Sequence, residues 1–145
     1  MFAEQRRHPR GLLDTGVLID RARVPASALP RELAISAISL GELAAGVHAV
    51  SGTNRAASVE RARRTVILQQ IEHEFDPIPY AAEAARAFGA LCSAVFAVGR
   101  KPRGRTLDLM IAATAVVERI PLFTTNPRDF AGIESFVEIV DVVRA

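Results

Sequence analysis

Three acidic residues stand at matching places in this chain, and a fourth stands at a comparable one. Asp14 ends the apolar run Gly11-Leu12-Leu13 and is followed by Thr15. Glu42 follows the stretch Ala34-Ile35-Ser36-Ala37-Ile38-Ser39-Leu40-Gly41. Asp108 opens the helical pattern Leu109-Met110-Ile111-Ala112-Ala113-Thr114-Ala115, and Asp129 comes shortly after Leu122-Phe123-Thr124-Thr125. Each lies where a strand or loop hands over to a helix. In a parallel α/β sheet such junctions fall at one edge, the carboxyl ends of the strands. Acids gathered there repel one another unless a cation joins them, and a hard divalent metal with oxygen ligands suits that task. The chemistry to expect is metal-assisted phosphodiester hydrolysis. In it a metal-activated water attacks phosphorus, and a second ion about 4 Å away can stabilise the leaving oxygen. Thr15, Ser39, Thr124 and Thr125 lie beside the acids and are suited to orienting carboxylates or waters.

Each acid taken singly also has a structural explanation. Asp14 can cap the short helix after the first strand by accepting from an orphan backbone N–H. Ser39-Leu40-Gly41-Glu42 fits a capping box, in which Glu42 would bond back to Ser39. Asp108 sits in a first turn, where the helix dipole favours negative charge. The joint pattern is more specific than any one of these, and capping does not exclude metal binding.

The elements that must position these residues alternate. Strands are expected at residues 11–14, 33–38, 121–125 and 137–142. Residues 75–79 hold two prolines and can be an edge strand or an extended link. Helices are expected around Val17-Leu18-Ile19 and at residues 39–50, 55–74, 81–98 and 107–118. Val59, Ala62, Val66, Ile67 and Ile71 form an apolar stripe on the long polar helix, as do Ala84, Phe88, Leu91, Val95 and Val98 on the next. Alternation of this kind implies a parallel sheet with helices on both faces.

The chain has 145 residues, half of them hydrophobic, which suits one folded domain with a sizeable core. Residues 1–10 read as a basic N-terminal extension and residues 11–145 as a single domain. The net charge is only +2, so bulk charge does not announce nucleic acid. Lys101 is the only lysine; arginine favours bidentate phosphate contact, although a genome rich in G and C gives the same bias. The single cysteine, Cys92, excludes an intrachain disulfide and a cysteine-based metal site, and reads as a small buried residue. No stretch has signal-peptide character or the length of a membrane span, so a cytoplasmic protein is expected.

The motifs together resemble the PIN-domain ribonucleases, specifically the VapC-type toxins of bacterial toxin–antitoxin pairs. The resemblance rests on Leu12-Leu13-Asp14-Thr15-Gly16-Val17-Leu18-Ile19, Ile38-Ser39-Leu40-Gly41-Glu42-Leu43, Arg105-Thr106-Leu107-Asp108 with the helix that follows, and Thr124-Thr125-Asn126-Pro127-Arg128-Asp129-Phe130. It covers almost the whole chain from Gly11 onward. It implies a PIN-like three-layer α/β/α sandwich with a central parallel sheet of about four to five strands. It also implies Mg²⁺ or Mn²⁺ dependence, endonucleolytic cleavage of structured RNA leaving a 5′-phosphate and a 3′-hydroxyl, a VapB-type antitoxin that blocks the site, and a homodimer. By that resemblance Asp14 and Asp108 are the metal ligands and Glu42 is a third acid acting on metal or through water. The fourth position falls to Asn126 or Asp129; Asn126 supplies no charge, so Asp129 is the better candidate. Thr15, Ser39, Thr124 and Asn126 support the site.

Arg100, Lys101, Arg103 and Arg105 closely precede Asp108 and would attract a phosphate backbone, with Arg105 nearest the acids. Arg61, Arg63 and Arg64 read as the wet face of their helix. Arg6, Arg7, His8 and Arg10 read as a tail or an RNA-contacting arm. His8, His48 and His73 share no spacing that suggests a site, and the few aromatic residues offer no stacking platform for bases. A phosphoacceptor signalling domain would need a lysine after a late strand, whereas Lys101 precedes Asp108. A haloacid-dehalogenase-like phosphatase would need an acid where Gly16 stands. The remaining alternative is a non-catalytic RNA- or protein-binding PIN module, which the survival of the acids disfavours.

Overall fold

A computed structural model describes residues 7–144. Four strands, β1 (Arg10–Leu13), β2 (Glu32–Ala34), β3 (Leu122–Thr124) and β4 (Ile139–Asp141), form one sheet in the order β2-β1-β3-β4. All three pairings are parallel, with Leu12 opposite both Ala34 and Leu122, and Phe123 opposite Val140. Among the described residues five α-helices flank the sheet: α1 (Thr15–Ile19), α2 (Ala37–His48), α3 (Arg55–Glu74), α4 (Ala82–Ala97) and α5 (Thr106–Glu118).

The three layers follow from the two-residue period of a strand. Leu12, Ala34, Leu122 and Ile139 point to one face, where Leu91 and Val95 of α4 and Leu109 to Ala115 of α5 complete a core. Their neighbours Leu13, Leu33, Phe123 and Val140 point to the other face, against Val17 and Leu18 of α1, Leu43 of α2 and Ile71 of α3. Every strand is therefore apolar on both sides, as a sheet covered on both faces requires. The Phe123 ring lies over Gly11, where a Cβ would come within 2.4 Å of Cε1.

Several expectations need correction. The apolar stretch 33–38 is a strand only as far as Ala34; the chain bends at Ser36 and α2 already begins at Ala37. Ser36, not Ser39, is the N-cap, accepting from the Ser39 N–H at 3.0 Å. The capping box proposed for Glu42 therefore does not form, because Ser39 lies inside the helix. Ile78 makes one isolated parallel bridge to Ser36, the extended link that two prolines allow. On α3 only Ile71 is buried, with Ile67 packed beside it; Val59 and Val66 are exposed. On the α4 stripe Ala84, Leu91 and Val95 are buried, while Val98 caps the helix and is exposed.

The basic N-terminal stretch is partly built into the fold. Arg7 donates to the carbonyls of Leu29 and Pro30, His8 pairs with Glu138 at 3.0 Å and sets its ring edge-on to Phe123, and Arg10 is the first residue of β1. Arg6 lies outside the described residues. Arg61 and Arg64 are more than a wet face: they donate to the carbonyls of Val50, Gly52 and Gly46, satisfying backbone acceptors at and after the end of α2. Cys92 is partly buried, and burial pushes its thiol up.

Candidate active site

The site forms where the chain changes direction across the sheet. From β1 the chain leaves through α1 toward one face, on the way to β2. From β3 it leaves through a 3-10 turn, Pro127–Phe130, and Phe130 and Ile133 enter the core of the opposite face. β1 and β3 are neighbours, so a crevice opens between their carboxyl ends, the usual ligand position in such sheets.

Asp14 lies at that point. Its backbone N–H bonds to the Phe123 carbonyl at 2.9 Å, continuing the β1–β3 ladder. Its side chain caps α1, accepting from the Thr15 N–H at 2.9 Å through Oδ1, as expected. Oδ2 accepts from the Thr124 hydroxyl at 2.8 Å. Each oxygen keeps lone-pair capacity for a further partner. Thr124 is fully buried at the end of β3, and its own oxygen accepts from the Asn126 N–H at 3.0 Å.

Glu42 comes from α2, more than a turn beyond its start. Thr15 Oγ1 stands 2.8 Å from Glu42 Oε1 and 2.9 Å from Ser39 Oγ. A hydroxyl has one hydrogen. With Glu42 ionised, that hydrogen goes to the carboxylate and Thr15 accepts from Ser39. Asp108 projects from the first turn of α5, whose N-cap residue is Arg105. Asp129 sits in the turn after β3 and pairs with Arg105 at 3.3 Å.

The electrostatics show that the four acids share one field. Asp108 is pushed up to about 6, first by burial and then by Asp14, Asp129 and Glu42, with Arg105 opposing. Burial raises Asp14, which Asp129 reinforces, while the bonds from Thr124 and Thr15 pull the other way. Burial also raises Glu42, with Asp14 adding and the Thr15 bond opposing. So much uncompensated acidity at one spot is a setting for a cation. The donors are all hard oxygens, the set that Mg²⁺ or Mn²⁺ prefers. Among the described residues no group of three or more His, Cys, Asp or Glu side chains is arranged as a ready-made cage. Mg²⁺ is commonly held by one or two carboxylates and keeps water in its other positions.

The expected residues meet unevenly. Asp14, Glu42, Asp108, Asp129, Thr15, Ser39, Thr124 and Arg105 converge. Asn126 contributes only its backbone, donating its N–H to Thr124 and accepting from the Asp129 N–H at 3.1 Å, and its side chain is exposed. Lys101 and Arg103 are exposed on the loop before α5 and pair with no carboxylate among the described residues. Two residues escaped the sequence reading: Arg63 and Arg64 line a cleft together with Thr15 and Glu42. They lie on a polar helix with nothing local to mark them.

The PIN domain model matches residues 12–134, and the chain belongs to the PIN-domain family. Within that family its likeness is to VapC-type proteins of toxin–antitoxin systems. A Mycobacterium tuberculosis structure of "a member of the VapBC family of toxin-antitoxin systems, VapBC-5" is 32% identical, with a TM-score of 0.78 over 92% of this chain and 99% of that one. DNA-bound VapBC from Salmonella typhimurium is 22% identical, with a TM-score of 0.68 over 91% and 97% of the two chains. VapBC2 from Rickettsia felis, bound to a promoter DNA fragment, is 20% identical, with a TM-score of 0.67 over 92% and 99%. These two share the fold. No curated protein matches the chain.

Proposed function

We propose that this protein is the toxin of a type II toxin–antitoxin pair and that it hydrolyses RNA phosphodiester bonds as a Mg²⁺-dependent endoribonuclease. The observation that carries the reading is the meeting of Asp14, Glu42, Asp108 and Asp129, from four separate elements, at the β1–β3 crevice, with Asp108 raised to about 6 by the others and by burial. A structural use of four acids would disperse them or pair each with a base; among the described residues only Asp129 has such a partner, Arg105.

Asp14 and Asp108 are the residues that would hold the ion. When bound, Mg²⁺ or Mn²⁺ supplies Lewis-acid charge that acidifies water and offsets charge on the phosphoryl group. Thr124 and the Thr15 N–H fix both oxygens of Asp14, so the carboxylate is oriented before any ligand arrives. Glu42, aimed by Thr15, can accept a proton from the attacking water or hold an outer water. Asp129 keeps Arg105 beside the cluster, where its guanidinium can meet a phosphate oxygen. Lys101 and Arg103 extend that basic side.

The reading implies a VapB-type antitoxin and a structured RNA as partners, with a homodimer as the assembly and the cytoplasm as the compartment. Among the described residues no helix is long and apolar enough to cross a membrane. The test is cleavage of total cellular RNA by purified protein with Mg²⁺, Mn²⁺ or EDTA, beside Asp14→Asn. Discrete fragments that need metal and vanish in the variant support the nuclease. Metal-loaded, folded protein that cuts nothing in total RNA or in antitoxin-free cell extracts would count for a binding module instead.

A further inference from the structure

Arg63 and Arg64 lie on α3, far in sequence from every acid of the site. They nevertheless line a cleft of about 300 Å³ with Thr15, Glu42 and Gly46. Glu42 also lines a second cleft, of about 370 Å³, with Gly104, Thr106 and Asp108. The two clefts share Glu42 as a wall. One runs beside α3; the other runs beside the start of α5, next to the loop that carries Lys101, Arg103 and Arg105.

We propose that the cleft under Arg63 and Arg64 is a phosphate subsite, which grips the RNA backbone on the α3 side of the acid cluster while the basic loop grips it on the other. This rests on the nuclease reading of the acids. A phosphodiester brought to four carboxylates meets repulsion on every side, so cationic walls at both exits help to hold the strand across them. Arg64 is pre-positioned: Nη1 donates to the Gly46 carbonyl at 2.7 Å and Nε to Glu60 at 2.8 Å, which leaves Nη2 to donate elsewhere. Arg63 uses Nε and Nη2 on Glu60, at 3.0 and 2.7 Å, and keeps Nη1. A guanidinium fork with donors to spare is the group best matched to phosphate oxygens.

Glu60 is the gatekeeper of the subsite. Its carboxylate holds both arginines, Arg63 through two bonds and Arg64 through one, at the solvent boundary where a phosphate can compete for them. A backbone phosphate can take its place without breaking the Arg64–Gly46 contact. No aromatic side chain lines the cleft, so the contact is to phosphate and carries no base preference.

The experiment measures binding of a fluorescent single-stranded oligoribonucleotide of mixed sequence across a salt series. It uses full-length protein carrying Asp14→Asn, so that the strand is not cut. Arg63→Gln is the clean variant, because among the described residues Arg63 bonds only to Glu60. Arg55→Gln makes the same charge change on the same helix outside the cleft. Arg63→Gln is expected to weaken binding about fivefold at low salt and to reduce the slope of log affinity against log salt by about 0.7, the value for one single-strand phosphate. Arg55→Gln should leave the slope unchanged, and Glu60→Gln should tighten binding by freeing both arginines. Equal affinity and slope for Arg63→Gln and its parent, or equal losses for Arg63→Gln and Arg55→Gln, would overturn the subsite. Metal-dependent cleavage by the protein with Asp14 intact would then leave the nuclease standing; absence of both cleavage and binding would remove the two together.

Discussion

Asp108→Asn should make the metal-free protein more stable while removing its activity, and the gain should depend on pH. A carboxyl held at about 6 in the folded chain, against 3.8 as its ordinary value, costs about 3 kcal/mol once ionised. Asp108 is only partly buried, so screening by water reduces this to about 1.5 kcal/mol. The folded chain holds this proton more tightly than the unfolded chain. Below pH 3.8 both states are protonated and there is no cost; the cost grows as pH rises through 3.8 to 6 and is complete above 6. Asparagine has no charge to bury, so the variant escapes it. At about 2–4 °C per kcal/mol for a domain of this size, Tm in EDTA should rise by about 3–6 °C at pH 8 and by about half of that at pH 5. Adding Mg²⁺ should stabilise the protein with Asp108 intact in proportion to site occupancy, and the variant much less. Thermal melts of both proteins at the two pH values, with and without Mg²⁺, provide the data. A variant no more stable than its parent at pH 8, or a gain equal at both pH values, would refute the reasoning.

Two further changes probe the scaffold. Gly11→Ala drives a methyl group to 2.4 Å from Phe123 at the β1–β3 junction, so it should cost about 1–3 kcal/mol in urea unfolding and lower metal-dependent cleavage by displacing Asp14 three residues on. Arg119 ends α5 in the left-handed region at φ 57°, where glycine has no penalty, so Arg119→Gly should raise unfolding free energy by about 1 kcal/mol with no effect on RNA cleavage.

Much of the architecture is legible in the chain because local signals agree there. α3 runs from Arg55 to Glu74, the bounds read from the sequence, because Asn54 caps it and the prolines after Phe75 forbid its continuation. Asp14 is visible as a cap because it directly follows a short apolar strand. The start of α2 is not legible in the same way. Ser36 and Ser39 are equally good caps by type, and Ile35 and Ile38 suit a strand as well as a helix. The bond from the Ser39 N–H to Ser36 follows from where β2 leaves the sheet, after Ala34 pairs with Leu12. Arg61, Arg63 and Arg64 share one helix and one charge, and the sequence offers no means to separate them. Packing of α3 on α2 does so, turning Arg61 and Arg64 to backbone carbonyls and Arg63 to Glu60.

The order of apolar and polar residues, with the caps and breakers between them, is enough to specify alternating strands and helices and to place Asp14 at the end of β1 and Asp108 in the first turn of α5, because those signals act within a few residues. Which strands are neighbours is a different kind of fact. The order β2-β1-β3-β4 brings Asp14 against Thr124, 110 residues away, and sets Asp108 and Asp129 in the field of Asp14. Burial then lifts Asp108 to about 6, a property of the assembled site that no single segment possesses. The same holds for the cleft shared by Glu42, Arg63 and Arg64, since desolvation and charge coupling depend on distance through space.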